Sequence, residues 1–467
     1  MLTNDIEDET MDIKTNQLLI DIVGDENFSA SNEDRLCYSY DGTAQEFIPE
    51  AVIFPANTEQ VGKIMELASQ HGFPVVPRGA GTGMTGGALA IAGGLVMVMS
   101  RFTRIVEIDV DNQLAVVEPG VITGDLQAAV RQKGLYYPPD PASLKFCTIG
   151  GNVAECAGGP SAVKYGVTRD YIKGLEVVLA DGKIITTGVK TDKGVVGYDL
   201  TRLFVGSEGT LGIITKIIVR LLPQPEAKET FLVLLDSLSK AAILVAKLLS
   251  RFTPCTLEFM DQTAISIVKD KLPFTLPDTT RALLLIELDG TAESVSSEGN
   301  LLRSFVEQKA GVLEIRQAGS SAEADRLWIA RRAVSPSAFK LKPHKISEDI
   351  VVPRSRIAEL VEYAESLALE LGLTIFCFGH AGDGNIHVNI MLDKTNAQEA
   401  ANGALAKQRL FDRVIELSGT LSGEHGVGIT KSGFLPLELS VDTLGAMQLI
   451  KRALDPKNIL NPGKIFP

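Results

Sequence analysis

The stretch PRGAGTGMTGGA, residues 77–88, decides the fold class of this chain. It holds five glycines and follows a hydrophobic run typical of a β-strand. Glycine has no Cβ, so the backbone N–H groups of such a loop can approach phosphate oxygens closely. The stretch therefore predicts a cradle for a pyrophosphate group.

Within this stretch Gly81, Gly83 and Gly86 also satisfy the pattern G-x-G-x-x-G of a Rossmann nicotinamide site. A Rossmann loop opens a helix and is followed about 20 residues later by an acidic residue that binds the ribose. Here another strand-like run follows, and Arg101 and Phe102 stand where the acid is expected. A purely structural glycine turn is the remaining alternative, and the context favours a flavin-type loop.

Two further blocks rich in small residues lie in the same half of the chain. Residues 139–166 read PDPASLKFCTIGGNVAECAGGPSAVKYG, and residues 206–215 read GSEGTLGIIT. Neither block has enough long apolar side chains to build a core alone, whereas both can line a flat ligand with backbone donors. Three such blocks indicate one large, extended cofactor.

These three blocks, in this order, resemble the FAD-binding domain of the vanillyl-alcohol oxidase-type flavoproteins. Within that group the chain resembles the FAD-linked D-2-hydroxy acid dehydrogenases, the branch that includes glycolate and D-lactate dehydrogenases, from about Tyr40 to its last residue. The resemblance implies an α+β fold. It would comprise an FAD-binding domain, an α+β substrate domain with an antiparallel sheet, and a C-terminal segment that returns to the FAD-binding domain.

The resemblance also implies which residues bind FAD. Many relatives attach FAD covalently through a histidine of the glycine loop; this loop has none, so we expect a non-covalent flavin. The residues expected at the cofactor are Pro77, Arg78, Gly79, Ala80, Gly81, Thr82, Gly83, Pro141, Ala142, Ser143, Thr148, Gly150, Gly151, Asn152, Gly158, Glu208, Gly212, Ile213, Ile214 and Asn461.

Three of the five histidines fall in two glycine-rich segments, GHAGDGNIHVNI at 379–390 and SGEHGVG at 422–428. Alternation in the first segment predicts a strand with His387 on the face away from its isoleucines, and His380 precedes it on a glycine turn. With Glu424, two imidazoles and a carboxylate form a three-ligand site with open positions, as catalytic zinc or manganese requires. The alternative is that these histidines only hydrogen-bond to backbone around tight turns.

Other residues are expected to handle the substrate. His425 follows Glu424 directly and can point toward the atom that a metal activates, and the resemblance likewise makes it the general base. Arg331 lies three residues after Trp328 on a predicted helix. The resemblance implies that its guanidinium binds the substrate carboxylate. Asn389 and Lys345 are further candidates at the substrate, although a salt bridge would equally explain Lys345.

The length of 467 residues allows two or three domains. We expect a tail at 1–15, an FAD-binding domain at 16–223, a substrate and metal domain at 224–420, and a C-terminal segment at 421–467 that packs on the FAD-binding domain. Two prolines and several charges after residue 222 mark the main boundary. Beyond it, alternating strands and helices suggest a sheet with helices on one face.

Composition excludes several classes of function. The net charge of −13 argues against a nucleic-acid partner, and no apolar run reaches the roughly 20 residues of a membrane span. The acidic N-terminal region does not resemble a signal peptide, so we expect a cytoplasmic protein. Five scattered cysteines without a C-x-x-C pair make an iron–sulfur cluster within the chain unexpected.

The sequence therefore predicts FAD-dependent oxidation of a small 2-hydroxy acid, glycolate or D-lactate, to the 2-oxo acid. Alternatives are oxidation of D-2-hydroxyglutarate or another larger D-2-hydroxy acid, a zinc hydrolase, and an FAD-binding electron-transfer subunit. A hydrolase would leave the three flavin-like blocks unexplained. The electron acceptor stays open between a partner subunit, a quinone, a cytochrome and oxygen, as does assembly into a homodimer.

Overall fold

The computed structural model describes residues 11–43 and 45–466. Most of the expected N-terminal tail thus lies outside the described residues. The α-helices are α1 Ile13–Val23, α2 Asn32–Cys37, α3 Thr58–His71, α4 Thr123–Arg131, α5 Ile149–Glu155, α6 Ala162–Tyr165, α7 Leu200–Phe204, α8 Leu238–Leu249, α9 Gln262–Val268, α10 Ala292–Glu307, α11 Ser321–Arg332, α12 Val334–Ser337, α13 Ile357–Leu371, α14 Ala397–Glu416, α15 Leu435–Glu438 and α16 Val441–Leu454.

The strands are β1 Phe28–Ser29, β2 Ala51–Ile53, β3 Val75–Arg78, β4 Leu95–Val98, β5 Ile105–Asp109, β6 Leu114–Val117, β7 Leu135–Tyr136, β8 Ile172–Val178, β9 Ile184–Gly188, β10 Ile213–Arg220, β11 Leu222–Pro223, β12 Ala227–Leu235, β13 Thr256–Asp261, β14 Ala282–Gly290, β15 Val312–Gln317, β16 His344–Val351, β17 Thr374–His380 and β18 Asn385–Leu392. No described helix has both the length and the apolar character needed to cross a membrane.

The chain divides into two compact units. The first unit contains the chain up to Ala157 together with Val167–Gln224 and Glu424–Pro467, and the second contains Gly158–Gly166 and Pro225–Gly423. The short segment Gly158–Gly166 thus belongs with the second unit, whereas the sequence places it in the FAD-binding domain. Its Lys164 and Tyr165 side chains both donate to the Asp289 carboxylate, at 2.5 and 2.8 Å, which fixes the segment on that unit.

The first unit contains two main sheets. In the order β1-β2-β4-β3, the pairs β2–β4 and β4–β3 are parallel and β1 joins β2 antiparallel. The second sheet is antiparallel in the order β5-β6-β10-β8-β9. Strands β8 and β9 form a hairpin whose turn contains Asp181 and Gly182, and Gly182 has a positive φ of 82°.

Helix α3 shows how the sequence builds the core of the first unit. Asn57 caps its N-terminus by accepting from Gln60 N, and Gly72 ends it in the left-handed conformation. Its buried apolar residues recur at helical spacing and pack into one core with strands β2, β3 and β4. This packing fixes β3, the strand that leads into the glycine loop.

The C-terminal segment is an integral part of the first unit. Leu460 bridges Val75 of β3 in parallel. The buried ammonium of Lys451, on α16, donates to Thr210 O and Leu460 O, both at 2.8 Å, and to Asp455 at 2.5 Å. These contacts join the end of the chain to the block at 206–215.

The second unit is built on one seven-stranded antiparallel sheet in the order β15-β12-β14-β13-β17-β18-β16. Helices cover both faces: α9, α11 and α12 pack in one apolar cluster, and α13 and α14 contribute to others. The expectation of helices on one face is therefore wrong. Nearly every residue of strands β13, β14 and β18 is buried, as expected for strands that are covered on both faces.

Strand register places chemically active side chains on one face of this sheet. His387 pairs with Asp349 of β16 and with Phe378 of β17, and Met260 of β13 pairs with Phe378. Because side chains alternate along a strand, Glu258, two residues before Met260, lies on this same face. Helix α11 packs against this face and carries Arg331 to it.

Candidate functional site

The glycine loop at 77–88 follows β3 and offers unpaired backbone amides. Among the described residues, the N–H groups from Ala80 to Met84 donate no hydrogen bond. Arg78 is buried, and its guanidinium donates to Tyr40 O at 2.7 Å. Arg78 thus anchors the loop from beneath, and the amides are the groups that an anion at the loop would meet.

Close glycine contacts bring the three small-residue blocks together in the first unit. A Cβ on Gly79 would lie 2.4 Å from Thr148 Oγ1, so the first block touches the second there. A Cβ on Gly209 would lie 2.6 Å from Pro77 Cγ, so the third block touches the same loop. Glycine is needed at both positions because any side chain would separate the blocks.

The remaining residues expected at the flavin lie as follows. In the same unit are Pro141, Ala142 and Ser143 in the turn before α5, Gly150, Gly151 and Asn152 within α5, and Gly212, Ile213 and Ile214 at the start of β10. Gly158 belongs to the second unit. The Ile213 side chain is buried in the α3 core, so only its backbone could face a ligand.

Asn461 provides a test of whether the loop fits a cofactor. Its side-chain amide donates to Gly87 O at 2.8 Å and to Glu208 O at 2.7 Å. Its Oδ1 atom is buried and has no hydrogen-bond partner in the described chain. A buried unpaired acceptor between the first and third blocks, with the unpaired amides of the loop, fits a ligand that has both donors and an anionic group.

The residues Glu424–Thr430, here called the histidine loop, are fixed on these blocks within the first unit. Glu208 accepts from Val427 N at 2.8 Å and from Gly428 N at 2.7 Å, one amide on each carboxylate oxygen. Thr85 Oγ1 donates to His425 O at 3.1 Å. The carboxylate of Glu208, one of the residues expected at the cofactor, thus holds the backbone that follows His425.

Glu155 adds a second acid near this backbone. Burial and the neighbouring Glu208 and Asp41 carboxylates raise the pKa of Glu155 well above its ordinary value. A Cβ on Gly426 would lie 2.2 Å from Glu155 Oε2, so the histidine loop passes directly over this group. The raised pKa favours the neutral carboxyl, which would repel a nearby anionic ligand less than an ionised carboxylate would.

In the second unit the two expected metal ligands are neighbours. His380 is the last residue of β17 and pairs with Asn385 of β18, so its expected position on a glycine turn is wrong. The β-prone run TIFCF before it extends the strand to the histidine. The Nε2 atoms of His380 and His387 lie 3.4 Å apart, and both side chains are buried.

Glu258 joins His380 to Arg331. One carboxylate oxygen contacts His380 Nδ1 at 2.5 Å, and the other accepts from Arg331 Nε at 2.8 Å. The Arg331 guanidinium also lies 4.6 Å from the Phe378 ring centre, which limits its movement. Although burial opposes ionisation, the contacts with His380 and Arg331 keep the pKa of Glu258 below its ordinary value.

Asp349 lies beside the other histidine and is fully buried. It accepts from Asn385 Nδ2 at 2.6 Å and from Gly423 N at 3.0 Å, and its Oδ1 lies 3.9 Å from His387 Nδ1. Carboxylates beside metal-binding histidines commonly set ring orientation. The register of β16 with β18 places Asp349 beside His387.

The other substrate candidates lie on the same sheet face. Asn389 is buried, accepts from Ser347 Oγ at 3.1 Å and donates to His387 O at 3.2 Å. Lys345 Nζ donates to Ser335 Oγ at 2.8 Å, and burial lowers the pKa of this ammonium. The salt bridge considered for Lys345 is thus replaced by a hydroxyl contact.

Sequence reasoning missed Glu258. The signal was available, since an acidic residue interrupts the apolar run LEFM in a segment that forms an inner strand. A buried carboxylate requires partners, and they come from positions 73 and 122 residues away. No local pattern identifies partners at such separations.

Comparison with known proteins agrees with this geometry. Residues 49–188 match the family described as FAD binding domain, and residues 224–465 match FAD linked oxidases, C-terminal domain. With the glycine loop and its adjoining blocks, these matches define the class of the protein: it is an FAD-linked oxidoreductase.

The chain is 46% identical over 459 residues to the glycolate oxidase subunit GlcD of Bacillus subtilis strain 168, covering 98% of this chain and 97% of that protein. It is 34% identical over 454 residues to a D-lactate dehydrogenase of Anaerostipes hadrus, covering 95% and 94%. The chain therefore belongs to the FAD-linked oxidase family that contains these proteins.

A solved structure shows the same fold. The 4-ethylphenol oxidase from Gulosibacter chungangensis matches with a TM-score of 0.78 and 20% identity, over 100% of this chain and 99% of that one. The α+β fold of the vanillyl-alcohol oxidase type, expected from the resemblance, is confirmed.

Proposed function

We propose that this protein oxidises a small 2-hydroxy acid, glycolate or D-lactate, to the corresponding 2-oxo acid. The names of the Bacillus and Anaerostipes relatives support this substrate class. The observation that carries the proposal is the pair of Nε2 atoms of His380 and His387, 3.4 Å apart, on the same sheet face as Arg331. Bound FAD would accept the hydride from C2.

The histidine pair suits a metal ion. Two imidazole nitrogens bound at roughly 2.0–2.1 Å to one zinc ion in tetrahedral geometry stand about 3.4 Å apart, whereas a direct N–H···N hydrogen bond is usually shorter. We assign His380, His387 and Glu424 as ligands of a zinc or manganese ion. Such an ion would lower the pKa of the substrate hydroxyl.

Chain continuity supports Glu424 as the third ligand. Gly423, the residue before it, donates its amide to Asp349, whose carboxylate lies beside His387. Asp349 also has the chemistry of a metal ligand. Because both its oxygens already accept hydrogen bonds from Asn385 and Gly423, we assign Asp349 to the orientation of His387.

His425 is assigned as the base that takes the proton of the C2 hydroxyl. Its backbone is fixed by Thr85 and by the two amides that Glu208 holds, so the imidazole starts from a fixed point. Its Nε2 lies 3.7 Å from Glu424 Oε1, so the proposed base and the proposed third ligand are neighbours. Positioned general bases typically contribute about 10²–10⁴-fold to a rate.

Arg331 is assigned to the substrate carboxylate. Its Nε and one terminal nitrogen face Glu258, at 2.8 and 2.5 Å, and its other terminal nitrogen forms no hydrogen bond or ion pair among the described residues. Asn389 and Lys345 supply polar groups on the same face. An anionic substrate would therefore meet a guanidinium already held in place.

A base substitution with a matched control tests the assignment of His425. We expect His425→Ala to keep its flavin and its metal while turnover falls about 10²–10⁴-fold. His71→Ala removes an exposed histidine at the end of α3 and should leave turnover unchanged. Near-normal turnover of His425→Ala would remove this residue from the mechanism.

Substrate choice is tested by mixing the yellow protein anaerobically with glycolate, with D-lactate and D-2-hydroxyglutarate, and with the L-isomers of the last two acids. We expect glycolate or D-lactate to bleach the flavin fastest. Faster bleaching by D-2-hydroxyglutarate would instead make the protein a dehydrogenase for larger hydroxy acids. Bleaching by none of them would leave an electron-transfer role. Removal of bound metal by a chelator, without loss of bleaching, would contradict the metal assignment.

We further propose that the protein works in the cytoplasm. Its reduced flavin would pass its electrons to a partner subunit, a quinone or a cytochrome. The word "subunit" in the name of the Bacillus relative supports the first of these. Comparison of reoxidation rates with a quinone, with cytochrome c and with oxygen would distinguish the acceptors.

A further inference from the structure

Glu258 is a deeply buried acid on the sheet face of the second unit that carries His380 and His387. It lies in the inner strand β13, between β14 and β17, and is 1% exposed. A carboxylate removed from water at this depth is strongly destabilising unless charged or polar partners surround it. Its surroundings should therefore show what it does.

The two oxygens of Glu258 contact different residues. Oε1 lies 2.5 Å from His380 Nδ1, and Oε2 accepts from Arg331 Nε at 2.8 Å and from a terminal nitrogen of Arg331 at 2.5 Å. One carboxylate thus holds a residue assigned to the metal and a residue assigned to the substrate.

We propose that Glu258 is a positioning residue that sets His380 for metal binding and Arg331 for substrate binding at the same time. This inference rests on the proposed function and adds a residue to it. It makes metal retention and carboxylate recognition depend on one buried side chain.

The contact with His380 determines which ring nitrogen can bind a metal. A carboxylate at Nδ1 keeps the proton on that nitrogen, so the lone pair is on Nε2. This is the nitrogen that lies 3.4 Å from His387 Nε2. Without Glu258 the ring could rotate or change tautomer, and the nitrogen pair would be lost.

The contact with Arg331 determines which edge of the guanidinium faces a ligand. Glu258 occupies the edge formed by Nε and one terminal nitrogen, which leaves the other terminal edge for a second carboxylate. Phe378, under the guanidinium at 4.6 Å, prevents the group from tilting toward the sheet. A second anion can therefore bind Arg331 without displacing the first.

The sheet offers a matched control in Glu287, on the neighbouring strand β14. Glu287 is 3% exposed and holds the same helix α11 through Trp328 Nε1 at 2.7 Å, with Thr230 at 2.8 Å and Lys228 at 2.9 Å. Glu287→Gln removes a buried charge that anchors the same helix. It touches neither His380 nor Arg331 in the contacts described.

The test compares Glu258→Gln with Glu287→Gln as full-length, flavin-loaded proteins. A glutamine can accept from only one of the two partners, because its NH2 group faces the other donor. We expect Glu258→Gln to bind zinc or manganese about 10–100-fold more weakly, in competition with a chelator. At saturating metal its KM for the hydroxy acid should also rise, whereas Glu287→Gln should keep both values.

Several outcomes would overturn the inference. If Glu258→Gln and Glu287→Gln lose metal affinity and KM equally, Glu258 serves stability alone. If Glu258→Gln does not fold, Glu258→Asp takes its place: its carboxylate is one methylene shorter and cannot reach both partners. Wild-type metal affinity and KM in Glu258→Asp would then contradict the proposal.

His380→Ala separates this inference from the proposed function. If His380→Ala retains the metal as tightly as the unmodified protein does, the metal assignment fails, whatever Glu258→Gln shows. If His380→Ala loses the metal while Glu258→Gln retains it and keeps its KM, the proposed function stands and the role of Glu258 is refuted.

Discussion

Asp261, at the end of β13, carries a carboxyl group that ionises unusually late. Burial raises its pKa to about 7, and Glu365 adds repulsion, although the amides of Ala264 and Cys377 favour the anion. In the unfolded chain this group titrates near its ordinary value of 3.8. As pH rises between these values, the unfolded state releases the proton and the folded state keeps it.

Stability contributed by Asp261 is thus present below about pH 4 and lost as pH rises to about 7, by at most about 4 kcal/mol. We expect the free energy of unfolding of the unmodified protein, relative to Asp261→Asn, to fall by roughly 2–3 kcal/mol between pH 5 and pH 7. Urea unfolding of both proteins, monitored by circular dichroism at each pH, measures this difference in the free energy of unfolding. A difference independent of pH would show that Asp261 is already ionised in the folded protein at pH 5.

Arg331→Lys tests whether substrate binding needs the planar, two-edged geometry of the guanidinium or only its positive charge. Lysine offers a point charge that cannot bind Glu258 and a substrate carboxylate through two separate edges. We expect KM for the hydroxy acid to rise on the order of 10-fold or more, with the flavin retained. The exposed neighbour Arg332, changed to Lys, is the control. Equal KM values for the two variants would move carboxylate binding away from Arg331.

At the scale of elements, the histidine loop depends on Gly428. This residue has a positive φ of 50°, and a Cβ there would lie 2.1 Å from Thr85 O. Gly428→Ala should therefore displace the backbone that presents His425. We expect turnover to fall at least 10-fold, as misplacement of a catalytic group predicts, while most of the flavin stays bound.

Gly433→Ala provides the control for that loop, because a Cβ at Gly433 meets nothing within 4 Å. Turnover and flavin content of this variant should match those of the unmodified protein. Unchanged turnover in Gly428→Ala would show that the contact with Thr85 does not position His425.

Elements with a strong local pattern could be predicted from the sequence. Helix α3, for example, follows the spacing of its apolar residues between Asn57 and Gly72. Strand β17 was missed because TIFCF lies next to a glycine-rich stretch, which suggested a turn. Tertiary pairing with β13 and β18 extends that strand to His380.

The residues of the candidate site likewise fall into those that the sequence can identify and those that it cannot. His380, His387 and Arg331 are recognisable because their neighbours form local motifs, and the structure brings them to one sheet face. Glu258 and Asp349 act through partners on other strands, so their roles depend on register. Register follows from pairing over the whole sheet, and a single strand sequence does not contain it.

At the scale of the whole molecule, each unit supplies a different part of the chemistry. The first unit has the unpaired amides of the glycine loop, Asn461 Oδ1 and the histidine loop, and the second has the histidine pair with Arg331. The chain passes from the second unit to the first between Gly423 and Glu424. The proposed metal ligand Glu424 and the proposed base His425 are thus the first two residues after the chain enters the first unit.

The way in which the flavin is held is the last prediction. The glycine loop contains no histidine, and His380, His387 and His425 are assigned to the metal and the base. We therefore expect FAD to be held by backbone amides and polar side chains alone. Protein precipitated with trichloroacetic acid should give a white pellet and a yellow supernatant, whereas native protein retained on an ultrafiltration membrane should keep its colour. FAD that binds only the folded state stabilises it by mass action, by about 2.7 kcal/mol at 100 times its Kd, so the flavin-free protein should melt at a lower temperature and recover when FAD is added. A yellow pellet after acid treatment would instead require a covalent bond from another side chain.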